Sequence, residues 1–195
     1  MNKCSWCRDG GILENYHDDE WGTIIHDDRK HFEYLLMEAM QCGLSWMLML
    51  KKREVFRSCF DNFDFNLIAL YDDEKINSII NFKDMIKSRK KIEAIINNSK
   101  CFLNIINEFG TFDKYLWSFT DYKTVVYKSH QDGFAEVRNE LSDCISKDMK
   151  KRGFKYLGSI TIFSHLQSCG IINDHERECY KYNELLKNAN GIIHI

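Results

Sequence analysis

Cys4 and His17 lie near one end of the chain, His175 and Cys179 near the other, and together they offer two thiolates and two imidazoles. If one tetrahedral zinc ion takes all four, the termini must meet, and every topology that keeps them apart is excluded. The first pair is widely spaced, which suits Cys4 on a coil and His17 beyond a turn. The second pair is i and i+4, which predicts that both side chains share one helix face. Spacing alone leaves rivals. Cys7 forms a Cys-x-x-Cys pair with Cys4 and could replace His17, His26 is a weaker substitute, and a chain with 8 Cys and 7 His can place four of them suggestively by chance.

The 195 residues are 44% hydrophobic and 13% aromatic, enough for one well-packed domain or two small lobes. The N-terminal MNKCSWCRDG carries no apolar signal segment, and no stretch is long and apolar enough for a membrane span. The expected location is the cytoplasm, with reduced thiols. Cys59, Cys101, Cys144 and Cys169 sit in apolar periodic stretches and read as small core residues. A net charge of −2 announces no polyanion partner, so a nucleic-acid surface would have to come from local clusters. Three exist: Lys83, Lys87, Arg89, Lys90 and Lys91; Lys51, Lys52 and Arg53; and Lys150, Lys151 and Arg152. Each alone reads as a solvated face.

Apolar residues recur at helical spacing almost throughout, without proline, internal repeat or low-complexity linker, which predicts an all-α or mostly α fold with no evident domain boundary. Asp27 or Asp28 can cap a helix whose stripe is Phe32, Leu35, Leu36, Ala39 and Met40, ended by Gly43; Ser45 caps the next, through Leu48, Leu50, Val55 and Phe56. A short helix from about Asp73 to Ile80, a basic turn, and a longer helix capped by Ser88 follow, with Ile92, Ile95, Ile96 and Leu103 inward and Gly110 as the stop. Phe112 to Phe119 reads as a short helix, Asp121 to Ser129 as irregular or extended, Phe134 to Met149 as a helix, and Ile160 to Ser168 as a buried one. On the wheel of the first helix Glu38 falls off the apolar stripe, so pattern makes it solvated. The sharper alternative puts it in a pocket with Trp46, Tyr16, Trp6 and Trp21, whose faces could stack on a planar ring while the carboxylate meets its N–H groups or its charge.

Several segments, in order from about Asn2 to Tyr180, carry a resemblance: CSWC (Cys4 to Cys7), ENYHDDEWG (Glu14 to Gly22), GLSW (Gly43 to Trp46) with LKKRE (Leu50 to Glu54), KKRGFKYLG (Lys150 to Gly158), and CGIINDH (Cys169 to His175) with Cys179. The chain resembles the bacterial 3-methyladenine DNA glycosylase I family of the helix-hairpin-helix superfamily. That resemblance implies an all-α fold in which a structural zinc ion joins the two termini (about 4–17 and 175–179). A helix-hairpin-helix lies at about 73–107, inside a glycosylase domain of residues 1–180 followed by an extension, 181–195. It implies a monofunctional DNA repair enzyme, acting as a monomer in the bacterial cytoplasm. The enzyme flips 3-methyladenine from double-stranded DNA and hydrolyses its N-glycosidic bond without lyase activity.

The matching positions carry zinc ligands at Cys4, His17, His175 and Cys179, so Cys7 is a bystander. The base is met by Glu38 and Tyr16, with Trp46 stacking and Trp6 and Trp21 shaping the pocket. Gln41, Gly43 and Leu44 would probe the DNA gap, and Lys87, Arg89, Lys90 and Lys91 take the hairpin position. Methylation at N3 makes the adenine cationic and weakens its bond to the sugar, so little acid catalysis is needed. Two departures stand out: Asp84 and Lys90 occupy hairpin positions where the family often has glycine, and the chain runs on as KYNELLKNANGIIHI, either a short helix or a loose tail. A damage-binding module that does not cut, or a helical adaptor, are the competing functional classes.

Overall fold

The computed structural model describes residues 1–7, 10–131 and 136–195. The helices are α1 (Ile12–Asp19), α2 (Asp28–Gln41), α3 (Trp46–Cys59), α4 (Phe65–Ile68), α5 (Asp73–Asn81), α6 (Arg89–Phe109), α7 (Phe112–Ser118), α8 (Lys128–Gln131), α9 (Glu140–Lys151), α10 (Ser159–Ser168) and α11 (Tyr180–Asn188). The strands β1 (Thr124–Val126) and β2 (Ile192–His194) pair in parallel, Val125 opposite Ile193. The fold is therefore mostly helical, as the spacing predicts. No described helix is long and apolar enough to cross a membrane.

The expected caps are in place. Asp27 accepts from the Lys30 amide at 2.7 Å to start α2, and Ser45 accepts from the Leu48 amide to start α3. Gly110 takes a positive φ and stops α6. The helix expected from Phe134 begins, among the described residues, at Glu140, behind a capping box between Asn139 and Ser142; Phe134 itself lies outside them. Leu103 is only partly buried, the deep positions nearby being Phe102 and Ile105.

α2 is the central rod: every residue from His31 to Met40 is buried. It packs against α3, α6, α7 and α10, with Phe32 edge-on to Phe102 and Phe102 stacked on Phe112 at 4.2 Å. A rod covered on all sides has no solvent face, and this corrects the wheel reading of Glu38. Glu38 is 3% exposed. Cys59, Cys101 and Cys169 are core residues as expected, whereas Cys144 is exposed on α9.

The chain end is ordered structure. α11 and β2 occupy most of residues 180–195, and β2 adds to β1 with Ile195 donating its amide to the Val126 carbonyl. The segment read as irregular or extended thus holds a strand because its partner comes from the far end of the sequence.

Candidate active site and metal centre

The N-terminal segment, α1 and the stretch before α11 converge at one point. The ligand atoms of Cys4, His17, His175 and Cys179, all buried, lie within 4.8 Å of one another. Cys4 Sγ is 3.6 Å from His175 Nδ1, and Cys179 Sγ is 3.4 Å from His17 Nε2 and 3.9 Å from His175 Nδ1. Tetrahedral zinc with ordinary Zn–S and Zn–N bonds would give sulfur-to-nitrogen edges of about 3.5 Å, so the four donors fit such an ion. His17 turns its other nitrogen to Asp18 Oδ1 at 2.8 Å, and Asp18 also accepts from Tyr180 and Lys3, the carboxylate support usual behind a ligating imidazole. Burial, then the neighbouring His17, lowers the His175 pKa to about 3, which keeps the ring in its neutral, ligating form.

Cys7 is buried but outside this group, its thiol directed at the Cys4 carbonyl. His26 is farther away still, paired with Asp113. One expectation is corrected: His175 and Cys179 do not share a helix. They flank a turn in which the Cys179 amide donates to the Glu176 carbonyl, and Cys179 caps α11. Gly22 passes so close to His175 that a Cβ there would sit 2.4 Å from Nε2, at a φ of +75°.

Against this clasp stands a cavity of about 190 Å³ lined by Trp6, Tyr16, Trp21, Glu38, Gln41, Trp46, Ser164 and Gln167. Drug-sized ligands occupy about 300–1,000 Å³, so this space suits one small flat ring. Tyr16 and Trp46 meet at a tilt with ring centroids 5.6 Å apart, and Trp6 meets Trp21 edge-on at 5.0 Å. Trp21 in turn packs on His175 at 4.6 Å, and Trp6 on His17 at 5.5 Å. The metal-type ligands therefore back the aromatic wall directly.

Glu38 enters from α2. Burial pushes its carboxyl pKa well above the ordinary range, and its Oε2 has no hydrogen-bond partner among the described residues; neither has Trp46 Nε1. Buried polar atoms are rarely left so: Oε2 stands 3.7 Å from His165 Nδ1, while the orphaned Trp46 N–H on the aromatic cavity asks for a ligand with an acceptor of its own. Burial, then Glu38, raises the Tyr16 pKa, so this residue remains a phenol. Ser164 and Gln167, missed from the sequence, come from α10; two polar residues three apart on an otherwise buried helix were the available signal.

Beside the cavity, α2 ends in a turn where the Leu44 amide donates to Gln41 and Gly43 has a φ of +81°. Leu44 and Met47 are exposed there. Lys91 reaches across from α6 and donates to the Met40 and Cys42 carbonyls at 2.7 and 2.8 Å, capping α2. In the hairpin between α5 and α6, Asp84 adopts a φ of +63°, the left-handed conformation a glycine would take, and Lys90 lies within the helix. Lys87 and Lys90 are exposed. In each of the three basic clusters, however, the arginine is engaged within the protein: Arg53 with Glu20, Arg89 with Asp73 and Asn77, Arg152 with Glu108 and Asp148.

Carried on helices, an aromatic slot with a buried carboxyl at its floor has the size and chemistry to hold a single planar, electron-poor ring. Residues 6–182 match the methyladenine glycosylase family. DNA-3-methyladenine glycosylase 1 of Escherichia coli (strain K12) is 36% identical over 182 residues, 93% of this chain and 97% of that protein. DNA-3-methyladenine glycosylase of Haemophilus influenzae is 36% identical, covering 91% of this chain and 96% of that protein. A structure of 3-methyladenine DNA glycosylase I from Staphylococcus aureus, concerned with 3-methyladenine recognition, superposes with a TM-score of 0.86 at 33% identity, over 93% of this chain and 97% of that one. The chain belongs to the methyladenine glycosylase family.

Proposed function

We propose that this glycosylase draws 3-methyladenine out of double-stranded DNA into the Trp46 pocket and hydrolyses its N-glycosidic bond, releasing the base and leaving an abasic site. The observation that carries the reading is the buried Glu38 carboxyl at a cavity of single-ring size walled by Tyr16, Trp46, Trp6 and Trp21. The methylated adenine is cationic, so the ring faces attract it and Glu38, once ionised against it, supplies opposite charge in a low-dielectric site. An unmethylated adenine lacks that charge and would leave Glu38 buried without compensation. The leaving group is already activated, and selective binding of the cation together with the surrounding DNA phosphates leaves little for a general acid to do.

Among the described residues no lysine lines the cavity, which favours water as the nucleophile over an amine and hence no strand cleavage. The test is release of free 3-methyladenine from methylated duplex DNA, followed by chromatography, with borohydride trapping alongside. Release without a trapped covalent adduct supports the reading; binding without release returns the protein to the damage-sensor class.

Leu44, exposed beside the pocket mouth with Gln41 and Gly43, serves as the wedge that fills the gap left by the flipped base. Leu44→Ala is expected to lower excision from duplex DNA about tenfold, a few kcal/mol of unstacking being shared with the rest of the turn, while affinity for the free base is unchanged. Lys87 and Lys90, with the amides at the start of α6, anchor phosphate, whereas Arg89 and Lys91 hold the hairpin and the α2 turn in position. Accordingly Lys87→Ala and Lys90→Ala should each reduce the salt dependence of DNA binding by about one unit of slope, and Arg89→Ala should act on stability instead. Salt titrations of the three variants separate these outcomes. For the metal centre the reading is a structural zinc ion on Cys4, His17, His175 and Cys179. Four protein donors leave no position for a reacting water.

A further inference from the structure

Behind Glu38, on the side away from the cavity, runs a file of ionisable groups that base recognition does not use. Glu38 Oε2 lies 3.7 Å from Nδ1 of His165 on α10. His165 Nε2 is 3.3 Å from His31 Nδ1 on α2, His31 Nε2 is 3.3 Å from Asp113 Oδ1 on α7, and the same oxygen is 3.0 Å from His26 Nδ1. Both central histidines are fully buried, and the His26 side chain is 50% exposed. The file thus leads from Glu38 to a side chain that is half in solvent.

Its hydrogen-bond logic is directional. Burial pushes the Asp113 carboxyl up, but hydrogen bonds from His31 and His26 outweigh this and hold it below the usual range, so it acts as an acceptor. His31 must then donate from Nε2, which leaves its Nδ1 as an acceptor for the Nε2 proton of His165. Burial, then His31, holds the His165 pKa well below the usual range, so that ring is neutral and its Nδ1 presents a lone pair to Glu38. Among the titratable groups facing Glu38, Tyr16 from α1 and Cys169 beyond α10 have raised pKa values and are uncharged. Asp28 caps the α7 amides of Phe112 and Asp113, which fixes the far end of the file. A lone pair is useful to Glu38 only when Glu38 carries the proton.

We propose that His165, His31 and Asp113, with His26 behind them, are positioning residues that form a proton relay from Glu38 to Asp113, through which the carboxyl ionises when the cationic base enters the cavity. The inference rests on the assignment of Glu38 to base recognition. The proton balance is closed. Glu38 gives its proton to His165 Nδ1, His165 Nε2–H passes to His31 Nδ1, and His31 Nε2–H passes to Asp113, which keeps the proton, donates it back to His31 Nε2 and still accepts from His26. His165 and His31 each end in the opposite tautomer, and His165 now donates Nδ1–H to the new carboxylate. The one open link is the 3.7 Å gap, about half an ångström beyond a hydrogen bond, as is common before a ligand draws a site together. The device lets a pocket that repels water discharge its carboxyl without passing a proton across the base.

The test is a pH titration of the protonated-carboxyl infrared band, assigned as the band missing from Glu38→Gln, together with the pH profile of 3-methyladenine release. His165→Phe removes the acceptor and the later donor, so the band should persist, and the acid limb of activity move, to higher pH. Asp113→Asn can donate to His31 and allow the reversed tautomers, so both should move to lower pH. Shifts of about half a unit or more in opposite directions are expected. Coincident titrations in wild type and both variants would overturn the relay, and so would shifts of the same sign; a merely structural role would lower the plateau and leave the limb in place. If His165→Phe does not fold, Asp113→Asn, on a partly exposed position, decides alone. Full activity of Glu38→Gln would instead remove Glu38 from recognition, while the infrared titration would still judge the path.

Discussion

Glu38→Gln is expected to slow release of 3-methyladenine from methylated DNA by about 10- to 100-fold while raising the stability of the fold at neutral pH. The loss follows from exchanging a hydrogen bond to a charged group, about 1.5–3 kcal/mol, for a neutral amide contact in the same space. The gain follows from linkage. Burial raises the folded-state pKa of Glu38 above its unfolded value, so between the two the folded chain keeps a proton that the unfolded chain has released. Stability from this group is full below the unfolded carboxyl pKa of about 4.3 and falls as pH rises toward the folded value. Glutamine does not titrate. The difference in melting temperature between variant and wild type should therefore widen as pH rises from about 4, and single-turnover release from the same preparations should fall. A variant that lost stability and activity together would mark Glu38 as a packing residue. The monitoring of 7-methylguanine beside 3-methyladenine adds a specificity readout.

What the sequence disclosed depended on how far apart in the chain the deciding partners lie. Local rules found the caps at Asp27 and Ser45, the stop at Gly110 and the helical character of almost every element, because each is settled within a turn or two. The same rules misjudged Glu38. A wheel assumes one solvent face, and α2 loses its own to α3, α6, α7 and α10, none of which is visible from residues 28–41. The basic clusters failed in a related way: a run of Lys and Arg looks solvated until acidic partners arrive from elsewhere, Glu20 to Arg53 and Glu108 to Arg152. β1 stayed hidden because β2 lies more than sixty residues away. The four candidate metal ligands were legible as residue types but not as geometry, since Cys179 reaches His175 through a turn rather than along a helix. Nor could the pocket aromatics be told from core aromatics by spacing; the resemblance selected them, and the coordinates bring Trp6, Tyr16, Trp21, Glu38 and Trp46 to one cavity. The histidines behind Glu38 had no local signal at all.

Cys179→Ala is expected to release the metal, lower the melting temperature by about 6–12 °C and weaken base binding, without removing any group that touches the base. The size follows from a structural ligand set worth several kcal/mol: a loss of about 3 kcal/mol shifts the midpoint of a chain of this length by about 2–4 °C per kcal/mol. The fold should survive, because its main core around Phe32, Phe102 and Phe112 lies away from the clasp, which forms a separate small cluster with Cys4, Cys7 and Cys179. Base binding should suffer through a short mechanical route. Without the ion, His175 and His17 lose the bonds that orient them, and they are the surfaces on which Trp21 and Trp6 rest. A loosened wall widens a cavity whose selectivity depends on fitting one ring. Cys7→Ala is the control: its thiol donates to the Cys4 carbonyl and lies outside the group of four ligand atoms, so metal content should match wild type. Metal analysis, thermal melts and tryptophan fluorescence titration with free 3-methyladenine read the three effects separately. Metal lost from the Cys7 variant but retained in the Cys179 variant would reassign the shell; metal lost from Cys179→Ala with base affinity intact would show that the clasp joins the termini and leaves the pocket to stand on α2 and α3.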